Sequence, residues 1–345
     1  MMKLLFALPF VALAAACSGG NSGSDAAATS IKAVGSSTVY PFTTAVGEQF
    51  DRANPDVSVI VESTGTGSGM KLFCEGLGAD LPDLANASRR MKPSEFADCQ
   101  AAGVTDIIEL PIGIDGLTLI QATSEEPFEL TLQQVYEALA ANPYGEEQTA
   151  MNWSDIDPSL PNKPIRVLGP PPTSGTRDSF VELIMEVGCD RNPEMAALEE
   201  VDEDRHAEVC SKMREDGVFV EAGENDNLMV QKVSNDPGTI GILGYSFFEE
   251  NTDKLQALAL DGVTPDENSI SSLEYPGARM LYVYVKDQHI AVKPALLDFM
   301  NAYKAAWQPG GLLRERGLVP LNDEGRAGAD AAVDGRTKLT AEQLN

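Results

Sequence analysis

One unit recurs along the chain: a short strand, a loop of Gly, Ser and Thr, and then a helix. Residues 31–34 (IKAV) turn through GSSTV into a helix, with Ala45, Phe50 and Ala53 among its inward positions. VSVIVEST (57–64) reads as a buried strand leading through GTGSG into the helix MKLFCEGL. DLANAS precedes the helix PSEFADCQAAG, and TDIIELPIGIDGLTLIQAT is strand-like with a break at Pro111. The pattern continues with helix TLQQVYEALA, strand PIRVLGP, helix RDSFVELIMEVG, strand GTIGILGY, strand ARMLYVYVK and helix PALLDFMNAYKAAW. Residues from about 323 read as a loose helical tail. Such alternation predicts an α/β fold with mainly parallel sheets. Ligands of such sheets gather at loops beyond the strand ends, beside helix N-termini.

Three loops share one chemistry: GSSTV (35–39), STGTGSG (63–69) and TSGTR (173–177). Each joins a strand to a helix and offers backbone N–H groups with short hydroxyl side chains. One such loop is usually a cap or a turn. Three in the same context predict donors converging on a tetrahedral oxyanion from several directions. A fourth loop, NASRRM (86–91), adds Ser88 with Arg89 and Arg90. Arginine grips oxyanions bidentately, and Arg89 is the nearer of the pair to Ser88. The competing expectation is a surface ion pair with one of the many carboxylates.

The chain has 345 residues, enough for about two domains, and a net charge of −28. That charge excludes nucleic acid and anionic lipid as partners, since no basic patch is present. An anionic ligand must be held by local dipoles and a few arginines.

The N-terminus, MMKLLFALPFVALAAACSGG, has one lysine, an apolar run and small residues before Cys17, the pattern of an export signal. The run is short of the roughly 20 residues that span a bilayer. Cys17 after small residues matches a lipoprotein site, although Ala14 stands where Leu is usual. Residues 18–30 read as a Gly/Ser/Ala tether. Of five cysteines, Cys74, Cys99, Cys189 and Cys210 remain, an even set that favours disulfides in an exported chain. Three pairings are possible; the sequence-local one joins Cys74 to Cys99 and Cys189 to Cys210. No C-x-x-C occurs, and His206 and His289 are the only histidines, expected at the surface, so no metal site is expected. No cofactor is implied either.

Nucleotide motifs fail: GTGSGMKL lacks the Lys-Ser/Thr ending of a P-loop and the spacing of a dinucleotide loop. No G-x-S-x-G elbow is present. SGMK does fit S-x-x-K, which leaves a serine hydrolase using Ser68 and Lys71 as the alternative of a different class.

In order along the chain, GSSTVYP, STGTGSGMK, DLANASRRMK, GIDGL, SGTRDSF and GTIGILGYSFF resemble the phosphate-binding proteins of bacterial ABC importers. The resemblance runs from about residue 31 to about 321. It implies a two-lobed type II periplasmic binding fold, without enzymatic activity, that closes on inorganic phosphate and presents it to a membrane permease. It places the lobe crossings near 113–117 and 282–285. Lobe one is then 31–114 with 284–345, and lobe two 115–283, after a signal segment of 1–17. The chain is expected to be monomeric and periplasmic or at the cell surface, held by a lipid on Cys17.

The same resemblance implies ligand contacts from Ser37, Thr38 and the Val39 N–H, from Gly67, Ser68 and Gly69, and from Ser174, Gly175 and Thr176. Two departures matter. Arg89 stands where the family carries an acidic residue, and Pro170 where it carries an arginine. Arg89 is therefore expected to replace the missing arginine, with Arg177 as second candidate. Asp115, in GIDGL at the first crossing, is the expected acceptor for the proton that phosphate carries and sulfate lacks. Another tetrahedral oxyanion is the alternative ligand.

Overall fold

The computed structural model describes residues 30–223 and 225–344. The signal segment, Cys17 and the tether up to residue 29 lie outside them.

The strand–loop–helix units form as the sequence leads one to expect. Strand β1 (Ser30–Gly35) enters helix α1 (Tyr40–Ala53), which carries Pro41 in its first turn and buries Thr43, Ala45, Val46 and Phe50. Ala53, expected inside, is exposed at the helix end. Among the described residues strand β2 (Ser58–Ser63) pairs only with β1, so it forms the sheet edge there and is half-exposed, not buried. Helix α2 (Thr66–Phe73), strand β3 (Leu84–Ala87) and helix α3 (Pro93–Ala101) complete this part.

Strand β4 (Ile107–Ala122) is sixteen residues long, and its register shifts between Pro111 and Gly113. Beyond it come helix α4 (Leu132–Leu139), strand β5 (Val167–Gly169) and helix α5 (Gly175–Phe180). Helix α5 runs on through a π-helical turn (Val181–Met185) into Glu186–Asp190. The segment 190–217, rich in Asp and Glu, folds as helices α6 (Pro193–Val201) and α7 (Glu203–Cys210). Strand β6 (Phe219–Glu221), helix α8 (Asp226–Asn235), strands β7 (Ile240–Gly244), β8 (Leu255–Ala257) and β9 (Ala278–Lys286) follow. Helices α9 (Ala295–Ala306) and α10 (Asp323–Gly335) lie near the C-terminus.

The strand order is β2-β1-β3-β9-β4-β7-β5-β6, with β8 also on β4. Pairing is parallel at both flanks, among β1, β2 and β3 and among β5, β6 and β7. The two long central strands run antiparallel to their neighbours. β4 pairs with β9 as far as Gly116 and with β7 from Leu117, so it carries the chain from one half of the sheet to the other. Tyr282, Val283, Tyr284 and Val285, expected at the second crossing, pair with β3 well inside the first half. The part of β9 that pairs with β4 alone is 278–281.

Phe50 of α1 meets Phe299 of α9 edge-on at 5.3 Å within a large apolar core. The tail is not loose. Helix α10 buries Ala329 and Val333, and Asp330 accepts a bond from Trp307 Nε1 at 2.9 Å. Both histidines are buried, contrary to expectation, because each has found a carboxylate. His289 Nδ1 lies 2.6 Å from Asp83, which also binds Lys293 Nζ at 2.9 Å. His206 Nε2 lies 2.8 Å from Asp190. Disulfides join Cys74 to Cys99 and Cys189 to Cys210. The first ties the end of α2 to α3, and the second ties the end of the α5 segment to α7.

Candidate functional site

The first and third hydroxyl loops face each other across one cavity. Gly175 makes this possible: a Cβ there would sit 3.1 Å from Ser37 O and 3.2 Å from Thr38 Cα. The start of α5 thus packs against the 35–39 loop. Thr38 Oγ1 lies 3.3 Å from Ser179 Oγ, and Ser37 Oγ donates to the Asp178 carboxylate. Ser174 caps α5, its Oγ accepting from Thr176 N at 3.2 Å. The cavity has a volume of about 710 Å³ and is lined by Ser37, Thr38, Ser63, Asp115, Thr173, Ser174, Gly175, Thr176, Ser179, Asp226 and Arg316. A second cavity of about 700 Å³ gathers Thr66, Gly67, Ser88, Arg89, Glu182 and Arg279.

Arg279, near the start of β9, joins the two cavities. Its Nη2 donates to Thr38 Oγ1 and to Ser179 Oγ, both at 2.9 Å. Nε donates to Asp115 Oδ2 at 3.4 Å, and Nη1 is paired with Glu182. Ser179 Oγ in turn donates to Asp115 Oδ2 at 2.7 Å. The Arg279 side chain is only 10% exposed. A planar guanidinium with several donors is therefore fixed where hydroxyls from two separate loops converge, the arrangement that grips an oxyanion. Carboxyls surround it. Burial raises the pKa of Asp178, and the nearby Glu182 charge raises it further. Burial alone pushes Asp226 up to about 6.

Residues 20–302 match the PBP superfamily domain. The chain belongs to the PBP superfamily. Protein SphX of Synechococcus elongatus is 35% identical over 84% of this chain and 77% of its own length. The phosphate-binding protein PstS of Staphylococcus saprophyticus is 29% identical over 84% of this chain and 80% of its own. Among solved structures, a possible phosphate binding protein from Planctomyces limnophilus superposes with a TM-score of 0.72 at 27% identity, covering 90% of this chain and 99% of that one. An ABC-type phosphate transport receptor from Vibrio cholerae shares the fold, with a TM-score of 0.57 at 19% identity over 84% of this chain and 99% of that one. The fold is thus the two-lobed type II arrangement, and β4 is a strand common to both lobes.

In this PBP-superfamily chain Arg279 contacts the loop hydroxyls directly, while the two expected cations, Arg89 and Arg177, are engaged by other partners. Arg89 is held by Glu95, with Nη2 to Oε1 at 2.7 Å and Nη1 to Oε2 at 2.9 Å. Glu95 also caps α3 by accepting from Lys92 N, so the pair is local to one helix start. Arg177 turns away: its Nη1 donates to Pro170 O at 3.2 Å and its guanidinium lies over the Phe219 ring. The Val39 N–H donates to Ser36 Oγ at 3.3 Å, and the Val39 side chain is buried in the core. Gly69 is a packing residue, since a Cβ there would lie 2.4 Å from Gly35 Cα. Ser68 and Lys71 are both exposed on α2 and line neither cavity. The second loop reaches the first cavity through Ser63 and the second through Thr66 and Gly67, and Thr66 Oγ1 lies 3.0 Å from Ser88 Oγ.

Arg279, Asp178, Ser179 and Glu182, which contact the loop hydroxyls or one another here, are not among the residues that the sequence points to. The last three lie within one helical turn or two of Gly175, so facing of the helix start was the available signal. Arg279 carried a weaker one, as the single arginine of a strand at a lobe crossing. Away from the cleft, Asp190, Glu199 and His206 bring ligand atoms within 4.8 Å of one another. The direct His206–Asp190 pair accounts for that cluster without an ion.

Proposed function

We propose that this chain is an extracytoplasmic receptor for inorganic phosphate that closes on its ligand and delivers it to an ABC-type permease. The observation that carries the reading is Arg279, bonded at once to Thr38 of one hydroxyl loop and Ser179 behind the other. The phosphate binding named for the PstS relative and the Planctomyces limnophilus structure supports the choice of anion. In this reading Thr38, Ser174 and Thr176 donate to phosphate oxygens, Ser37 does so once its hydroxyl turns from Asp178, and Arg279 balances their charge. Asp115, fixed by Ser179 and Arg279, is the acceptor for a phosphate proton.

The lobes meet near 113–117 on β4 and 278–281 on β9, and closure bends these two strands. The receptor acts as a monomer and is tethered by a lipid on Cys17 after removal of the signal segment. Among the described residues no helix is long and apolar enough to cross a membrane. Equilibrium dialysis against radiolabelled phosphate tests the central point. One site per chain, displaced by unlabelled phosphate and not by nucleotides, supports it. Absence of retained label removes it.

A further inference from the structure

Glu182 lines the second cavity and holds Arg279, the cation of the proposed oxyanion site. Its carboxylate is paired with Arg279 Nη1 and accepts from Ser88 Oγ at 3.3 Å. Ser88 follows β3 in one lobe, Glu182 belongs to the α5 segment in the other, and Arg279 lies between them. We propose that Glu182 is an internal competitor: its carboxylate and a bound oxyanion contend for Arg279, so ligand entry breaks the Glu182 bonds to Arg279 and Ser88 and drives Glu182 out of the cleft. This rests on the oxyanion-receptor reading and sets how tightly that receptor binds.

Three features make the residue fit to leave. It sits on the π-helical turn Val181–Met185, an irregularity that loosens the side-chain register of a helix and is frequent at functional sites. Asp178 and Glu186 flank it at four residues on either side, and like charges at that spacing repel. Arg279 offsets this repulsion at one end only. Finally, the Glu182 side chain is 43% exposed while Arg279 is 10% exposed. The carboxylate can swing into water, and the guanidinium stays fixed between Thr38, Ser179 and Asp115.

The test is calorimetric titration of phosphate into wild type, Glu182→Gln and Glu182→Ala, with thermal melting to check that each is folded. Both variants are expected to bind about tenfold more tightly, the effect of removing one competing charged contact. Stopped-flow mixing should place the gain in the association rate, since expulsion of the carboxylate no longer precedes closure. Equal or weaker binding by the variants overturns the competition and leaves the receptor reading intact. Silence from all three proteins with phosphate, sulfate and arsenate overturns both.

Discussion

Arg279 Nη2 donates to Thr38 Oγ1 at 2.9 Å, joining residues 241 positions apart in sequence. The bond links the start of a crossing strand to the first hydroxyl loop. The same nitrogen reaches Ser179 of the third loop's helix, so one guanidinium senses both walls of the cavity.

Removing that guanidinium should cost far more than one hydrogen bond. Arg279→Ala leaves Asp115 in the first cavity and Glu182 in the second without their cation, so the anion meets repulsion as well as lost donors. Phosphate affinity should fall at least about a hundredfold by calorimetry. Arg279→Lys keeps the charge and loses the planar fork, and should recover only part of it. A variant that binds like wild type places the anion elsewhere.

Asp115 bears on selectivity more than on affinity. A hydrogen-bond acceptor beside the ligand favours protonated phosphate and disfavours sulfate, which offers no proton. Asp115→Asn should therefore let sulfate bind while phosphate affinity falls by a smaller factor. Competition of sulfate against labelled phosphate measures this. Unchanged discrimination would make Asp115 a residue that only positions Ser179 and Arg279.

Asp226 gives a pH dependence whose sign is fixed by burial. Its folded pKa is raised from 3.8 to about 6, so the folded chain holds the proton more tightly than the unfolded one. That contribution to stability is complete below about pH 4 and is lost as pH rises through about 6. Asp226→Asn should raise the melting temperature above pH 6 and change it little below pH 4. A gain confined to acid would have the wrong sign and would refute the burial argument.

The two disulfides close loops with sequence separations of 25 and 21. Chain entropy gives each about 3 kcal/mol of stability. Replacing either pair by serine should lower the unfolding free energy by about that amount in urea, with phosphate binding retained by the folded fraction. Loss of binding with unchanged stability would assign that disulfide to the site itself.

The hydroxyl loops were legible in the sequence because their signal is local: Gly, Ser and Thr at a strand-to-helix junction need nothing distant to be recognised. The long central strands were legible for the same reason, down to the break at Pro111. What the sequence hid depends on contacts between remote segments. Arg279 reads as an ordinary strand residue until β9 is set beside β4. His289 reads as exposed until it meets Asp83 across 206 positions. Arg89 misled in the opposite sense. Its partner, Glu95, lies only six residues on, at the third position of the next helix, where a carboxylate serves the cap and the arginine together.

The most direct measurement is titration of phosphate, then sulfate, into protein unfolded and refolded to strip any bound anion. The receptor reading predicts one-to-one binding of phosphate at micromolar concentration or tighter, with no heat from sulfate. Heat from neither anion, in protein shown to be folded, would contradict it and return the hydroxyl loops to the role of ordinary helix caps.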